Sequence, residues 1–199
     1  MNKCKEILVN TALLLTVVLI LALVPTEKEG AIYEDTVRLH ILANSDSRSD
    51  QELKLKIRDK VLNKYGERLS EAMSKEDAEK MIRSLTDDIK LDVDVWLAEL
   101  GTTYKSSVEL VKEWYDTRNY EGFTLPSGYY TSLKIMLGEG DGQNWWCVMY
   151  PPLCLDVATA NTPTDDALIQ YSKEEVKLIT NDGYNVKFKI LELLSESIK

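Results

Sequence analysis

The residues with the types needed for chemistry are concentrated between positions 137 and 155, with the single histidine, His40, far upstream. Nucleophilic catalysis needs a nucleophile, a base beside it and a group that orients the base. Cys147, with His40 and either Asn144 or Glu139, supplies those residue types. Their spacing in the sequence does not indicate that they meet in the fold. A cysteine two residues from a tryptophan is also typical of a structural position. A cell-envelope hydrolase using Glu139, His40 and Cys147 is therefore the alternative hypothesis.

Carboxylates and glycines in the same stretch indicate further chemistries that the spacing disfavours. Glu139 and Asp141 share a face of a strand, whereas the two carboxylates of a glycosidase come from separate elements. With Asn144 they supply oxygen ligands for calcium, but the spacing is not that of an EF-hand loop. No helix pattern follows the glycines, so a phosphate loop is not expected either. The alternating glycines are Gly138, Gly140 and Gly142. We predict no catalytic residue, no metal site and no cofactor.

The composition is that of a globular domain with appendages. The chain has 199 residues, of which 44% are hydrophobic and 29% charged. A net charge of −9 argues against nucleic acid or anionic lipid as the main partner. One histidine and three cysteines argue against a zinc site with several protein ligands.

The N-terminal residues 1–25 are predicted to be a signal peptide or an N-terminal membrane anchor. Lys3 and Lys5 precede an apolar run over residues 7–24, as in an export signal. The run also approaches the length of a membrane span, so an uncleaved segment would keep the chain in contact with the membrane. Acidic residues follow the run, and the positive-inside rule then places the rest of the chain outside the cytoplasm.

Hydrophobic periodicity predicts helices in the first half of the chain and strands in the second. A strand is expected over residues 36–43, and a helix from about Asp50, with a capping box of Ser49 and Glu52, to Gly66. A second, long helix is expected from Ser74 to Gly101. Further strands are expected at residues 107–114, 123–125, 130–137 and 145–150, a strand or helix at 172–180, and a terminal helix at 186–198.

These elements predict an α+β fold, a mostly antiparallel sheet packed with two or three helices and preceded by the export or anchor segment. The predicted organisation is residues 26–35 as a linker, 36–158 as the core domain and 159–199 as a variable C-terminal region. In the last predicted strand, Trp145 and Cys147 face one side while Trp146 faces the other.

A disulfide between Cys147 and Cys154 is one of two alternatives for the cysteines. An exported domain permits it, but Pro151 and Pro152 oppose the short loop unless one peptide bond is cis. The other alternative is two reduced, buried cysteines.

Four segments closely resemble the stage II sporulation protein R family of endospore-forming bacteria. They are RLHILANSDS (residues 38–47), DQELKLKIRDKVL (50–62), TLPSGYY (124–130) and GEGDGQNWWCVMYPPLC (138–154). The match runs in order from about residue 37 to 155. The resemblance implies a signalling protein and not an enzyme. Family members are made in the forespore and exported across its membrane. In the space between forespore and mother cell they activate a membrane-embedded aspartic protease, which processes pro-sigma-E.

The resemblance assigns no individual contact residue, so the partner-binding surface is a hypothesis from composition. Aromatic, glycine and proline residues concentrate in one window, and aromatic residues are frequent anchors of protein interfaces. The alternative is that the tryptophans belong to the core. The proposed contact residues are Gly138, Glu139, Gly140, Gly142, Asn144, Trp145, Trp146, Pro151 and Pro152.

Overall fold

A computed structural model describes residues 3–23, 27–120, 122–153, 168 and 171–180. The elements, in chain order, are α1 (Lys3–Leu23), α2 (Glu27–Glu34), β1 (Val37–Leu42), α3 (Arg48–Ser70), α4 (Lys75–Glu99), β2 (Ser106–Tyr115), β3 (Arg118–Tyr120), β4 (Phe123–Leu125), β5 (Gly128–Leu137), β6 (Asn144–Tyr150) and α5 (Lys173–Ile179). The α+β class is confirmed.

Four strands form one mixed sheet in the order β2-β5-β1-β6. β1 is parallel to β5, with Leu39 opposite Leu133. β1 is antiparallel to β6, and β2 is antiparallel to β5. The parallel pair is possible because α3, α4 and β2 form a long connection between its strands. The predicted mostly antiparallel sheet therefore contains a parallel pair at its centre.

Two elements were not predicted. β3 pairs with β4 as a separate two-stranded hairpin, in which Tyr120 lies opposite Phe123. The segment predicted as a linker forms α2, which buries Ile32 completely.

The helices α3 and α4 cover the apolar face of the sheet. Residues two apart in a strand share a face, so Val37, Leu39 and Ile41 point to one side of β1, and all three are buried. The helical stripe of α4 that packs in the same core consists of Ala78, Ile82, Leu85, Ile89, Val93 and Leu97. Each fully buried Leu or Ile side chain stabilises the fold by about 1.5–3 kcal/mol.

The opposite face of the sheet carries polar residues at its centre. Arg38 and His40 alternate with the apolar residues of β1, and both are buried. α2 covers one end of this face, since the rings of Tyr33 and Tyr130 lie 5.0 Å apart, edge to face. α5 contacts α2 and β4 and completes the layer.

α3 differs from its predicted bounds at both ends. Its N-cap is Ser47, whose Oγ accepts from the Asp50 backbone N–H at 3.2 Å, and not the predicted box at Ser49. The helix also continues past Gly66 to Ser70 and buries Leu69. A glycine in a helix costs about 1 kcal/mol, which is less than the burial of one leucine side chain supplies.

The predicted starts of the other helices are confirmed where the structure describes them. Ser74 caps α4 by accepting from the Asp77 backbone N–H at 3.2 Å. The segment predicted as strand or helix forms α5, which begins with a capping box of Ser172 and Glu175. The terminal helix predicted at 186–198 and Cys154 lie outside the described residues. None of the helices in the described part is both long enough and apolar enough to cross a membrane.

Candidate functional site

Two sequence motifs, separated by some ninety residues, interlock at one end of the sheet. The glycine loop, residues 138–143, lies against the turn at residues 43–47. Most of the hydrogen bonds between them are donated by backbone N–H groups of the loop. Three of them join Glu139 N to Asn44 Oδ1 (3.1 Å), Gly142 N to Ala43 O (2.9 Å) and Gln143 N to Asp46 Oδ1 (2.7 Å). The loop is therefore held in one conformation by the turn that follows β1.

Two of the predicted contact glycines are required by this packing. Gly138 has φ +61°, and a Cβ there would approach Asn44 Oδ1 closer than 3.0 Å. A Cβ on Gly142 would collide with the backbone carbonyl of Ser45, again within 3.0 Å. These glycines therefore allow the two motifs to approach each other closely, because neither carries a Cβ.

Asp50, at the start of α3, holds the turn at residues 43–47 in place. Its Oδ2 accepts hydrogen bonds from Ser45 Oγ (2.6 Å) and Asn44 Nδ2 (3.0 Å). These hydrogen bonds, first that from Ser45 and then that from Asn44, hold the pKa of the Asp50 carboxyl below its usual range. Asp50 is thus a buried carboxylate that orders both motifs.

Lys54 links α3 directly to the glycine loop. Its Nζ donates to the carbonyl oxygen of Gln143 at 2.6 Å and to Gln51 Oε1 at 2.7 Å. Burial lowers the pKa of this ammonium group. The C-terminal end of the loop is therefore tied to the N-terminal part of α3.

His40 occupies the centre of the polar sheet face. Its Nδ1 lies 2.9 Å from Glu113 Oε1, and its Nε2 lies 2.9 Å from Asn144 Oδ1. The indole of Trp146 stacks on the imidazole, with ring centroids 3.7 Å apart. Three strands, β1, β2 and β6, thus converge on one buried histidine.

Glu113 is the carboxylate of this cluster. Burial raises its pKa, but the hydrogen bond and charge of His40, with Ser132 and Lys134, outweigh that effect and leave the pKa below its usual range. Lys134 Nζ lies 3.6 Å from Glu113 Oε2. The cluster is a hydrogen-bonded network that includes the ion pair between Lys134 and Glu113.

The two tryptophans lie on opposite faces of the sheet, as their alternation predicts. Trp146 faces His40, while Trp145 lies under the guanidinium of Arg58, whose Cζ is 5.1 Å from the ring centroid. Both are half-buried and pack against the core. The predicted contact pair therefore does not form one continuous exposed surface.

The catalytic set of the hydrolase hypothesis does not assemble. Cys147 lies opposite Leu39 on the apolar face, so it faces away from His40. It is also disulfide-bonded, which removes the free thiol. Glu139 is exposed in the glycine loop, and of the four residues only Asn144 meets His40.

The remaining predicted residues lie at the two ends of β6. Asp141 is exposed beside Glu139 on the loop, and no group of three or more acidic, histidine or cysteine residues in the described part is arranged to hold a metal ion. The Tyr150–Pro151 peptide bond is cis; Pro151 is buried and Pro152 is half-buried. Since Cys154 lies outside the described residues, its pairing with Cys147 stays a prediction.

Sequence reasoning missed three residues of the polar face. They are Arg38, which lies over the Tyr115 ring, Arg118, which lies over the Trp146 ring, and Glu113, which pairs with His40. The alternation of β1 carried a signal for the first of them, because a strand whose other face is apolar places Arg38 and His40 together.

The chain is similar to known proteins over most of its length. A family model described as Stage II sporulation protein R matches residues 33–160. The Stage II sporulation protein R of Bacillus subtilis (strain 168) is 33% identical over 184 residues, which cover 83% of this chain and 82% of that protein. No solved structure matches the chain significantly.

Proposed function

We propose, since the chain belongs to the stage II sporulation protein R family, that it is an exported signalling protein. In this proposal it acts between the forespore and mother-cell membranes and activates a membrane-embedded aspartic protease of the mother cell. That protease then processes pro-sigma-E. Family membership is the observation that carries the proposal.

The site geometry supports a binding role over a catalytic one. The cysteine is disulfide-bonded on the other face of the sheet from the histidine, and the glutamate lies on an exposed loop. A nucleophile without its base gives no rate enhancement from that pair. No observation on the described residues favours the hydrolase.

The proposed contact surface is the exposed edge formed by the glycine loop and the start of β6. Glu139, Asp141, Gln143 and Asn144 are exposed there, while hydrogen bonds fix the backbone beneath them. A preformed loop loses little entropy on binding. A protease with two states is shifted toward the active one only if this surface binds that state better.

The test is pro-sigma-E processing in a heterologous bacterium that makes the protease, its substrate and the full chain. Immunoblotting measures removal of the pro-sequence. We expect processing with the parent chain and with Glu139→Gln, because one conservative change does not remove a binding surface. A variant lacking residues 3–23 stays inside the cell and is expected to give none.

Two results would contradict the proposal. Processing by the variant that remains inside would show that export is not needed. Complete loss of processing in Glu139→Gln, with an unchanged thermal midpoint, would favour the hydrolase, since removing a catalytic carboxylate lowers rates by orders of magnitude.

A further inference from the structure

The polar sheet face contains a completely buried arginine that makes no ion pair with a described residue. Arg38 is 0% exposed, and its Nη2 donates to the hydroxyl of Tyr120. Its Nε and Nη1 have no hydrogen-bond partner. A buried charge without a partner costs several kcal/mol, so this guanidinium calls for an acceptor that carries negative charge.

A second guanidinium approaches from the hairpin. Arg118 and Tyr120 are two residues apart in β3, so both project toward the sheet. Arg118 Cζ lies 5.2 Å from the ring centroid of Trp146, and its Nε has no hydrogen-bond partner either. The buried hydroxyl of Thr117, next to it in the chain, is a third group without a partner.

Two neighbouring aromatic rings connect Arg38 with Arg118. Arg38 Cζ lies 4.1 Å from the centroid of the Tyr115 ring, whose centroid is 4.7 Å from that of Trp146. The two guanidinium groups therefore contact neighbouring rings. Of the five buried side-chain atoms without a partner in the described residues, two belong to Arg38 and one to Arg118.

Neighbouring residues do not supply the missing acceptor. The Tyr115 hydroxyl is paired with Ser132 Oγ at 2.6 Å, and that of Tyr130 donates to Pro126 O at 2.7 Å. Glu113, the carboxylate of the adjacent cluster, is bonded to His40 and Lys134. Aromatic faces attract the charge of Arg38, but they accept no in-plane N–H bond from Nε or Nη1.

We infer that β1 and the hairpin form a binding site for one anionic group of the carboxylate or phosphate class, held by Arg38 and Arg118. Guanidinium groups bind the oxygens of carboxylates and phosphates through two parallel N–H bonds. Arg118 and Trp146 are half-buried whereas Arg38 is fully buried. The anion therefore enters past Arg118 and ends against Arg38.

The test is thermal unfolding of the purified full chain in sodium phosphate, sodium acetate or sodium chloride at equal ionic strength and pH. We expect phosphate or acetate to raise the midpoint saturably, by about 2 °C or more at ten times the dissociation constant. The anion that raises the midpoint more at equal concentration identifies the class. A higher midpoint in phosphate or acetate would assign a small-molecule source. A higher midpoint only in a parallel measurement with a peptide that bears a carboxylate would assign a protein source.

Arg118→Met is expected to abolish the rise, and Arg118→Lys to reduce it. Arg58→Met is the matched control, because Arg58 lies over Trp145 on the other face of the sheet. Equal midpoints in all salts and with the peptide would overturn the inference and assign water to the unpaired N–H groups. So would a full anion response in Arg118→Met. Neither result touches the proposed signalling role, because the protease is absent from the experiment.

Discussion

At the scale of single residues, the close approach of two motifs depends on glycine. Gly142→Ala is expected to destabilise the fold by about 1–3 kcal/mol, the usual cost of overpacking, because its Cβ would meet the carbonyl of Ser45. Chemical denaturation measures the change. The control is Gly30→Ala in α2, where a Cβ meets nothing within 4 Å. That substitution should be neutral or stabilising, and equal losses in both variants would contradict the explanation.

The Asp50 carboxylate gives the fold a defined acid sensitivity. Its folded-state pKa is lowered, so the stability it contributes is complete above the unfolded pKa of about 3.9 and is lost as the pH falls through the folded pKa. Asp50→Asn should cost about 1–3 kcal/mol near pH 7 and flatten the acid limb of the stability curve. The measurement is unfolding free energy against pH. An unchanged acid limb would mean that other carboxylates dominate.

At the scale of elements, the single core stripe of α4 separates structural from exposed positions. Ile89→Ala should cost about 2–5 kcal/mol, because Ile89 is fully buried between helix and sheet. Leu91→Ala is the control, since Leu91 is 67% exposed and its loss should change stability by about 0.5 kcal/mol or less. Urea unfolding measures both. Similar costs would show that Leu91 is covered by another part of the protein.

Elements with strong local patterns could be predicted from the sequence. β1, β5 and α4 were found because alternation or a helical stripe runs through each of them. The start of α3 was misplaced because Ser45, Ser47 and Ser49 are competing caps within one turn. Its end was misplaced because burial of Leu69 outweighs the helix cost of Gly66, and that comparison requires the tertiary structure.

The site was only partly predictable for a related reason. The glycine loop was recognised by its composition, and the opposite faces of Trp145 and Trp146 followed from period two. The turn that binds the loop, and the pairing of Arg38 with Tyr120, depend on residues far apart in the chain. Contacts between such distant residues cannot be read from local sequence, because they depend on the order of the strands in the sheet.

At the scale of the whole molecule, the proposed contact surface predicts a separation of activity from stability. Changing both Glu139 and Asp141 to lysine should lower protease activation at least tenfold, because both side chains are exposed on the contact loop and like charges disrupt a complementary interface. The thermal midpoint should stay unchanged. Immunoblotting of pro-sigma-E against protein level measures activation.

The matched control for that prediction changes the same number of charges elsewhere. Glu67 and Glu71 are exposed at the far end of α3, and their replacement by lysine should leave activation intact. Equal losses in both double variants would indicate a general charge effect and would remove the glycine loop from the proposed contact surface.

Because β1 pairs with β5, the sheet can form only after most of the domain has been synthesised. The ribosome releases the chain from its N-terminus, so β1 emerges long before both of its neighbours, β5 and β6. Contacts between such distant segments require closure of a long loop and form slowly. The central strand therefore waits, unpaired on both sides, until almost the entire domain has been synthesised. Under the proposed export, this order of assembly gives the chain time to be transported before it folds.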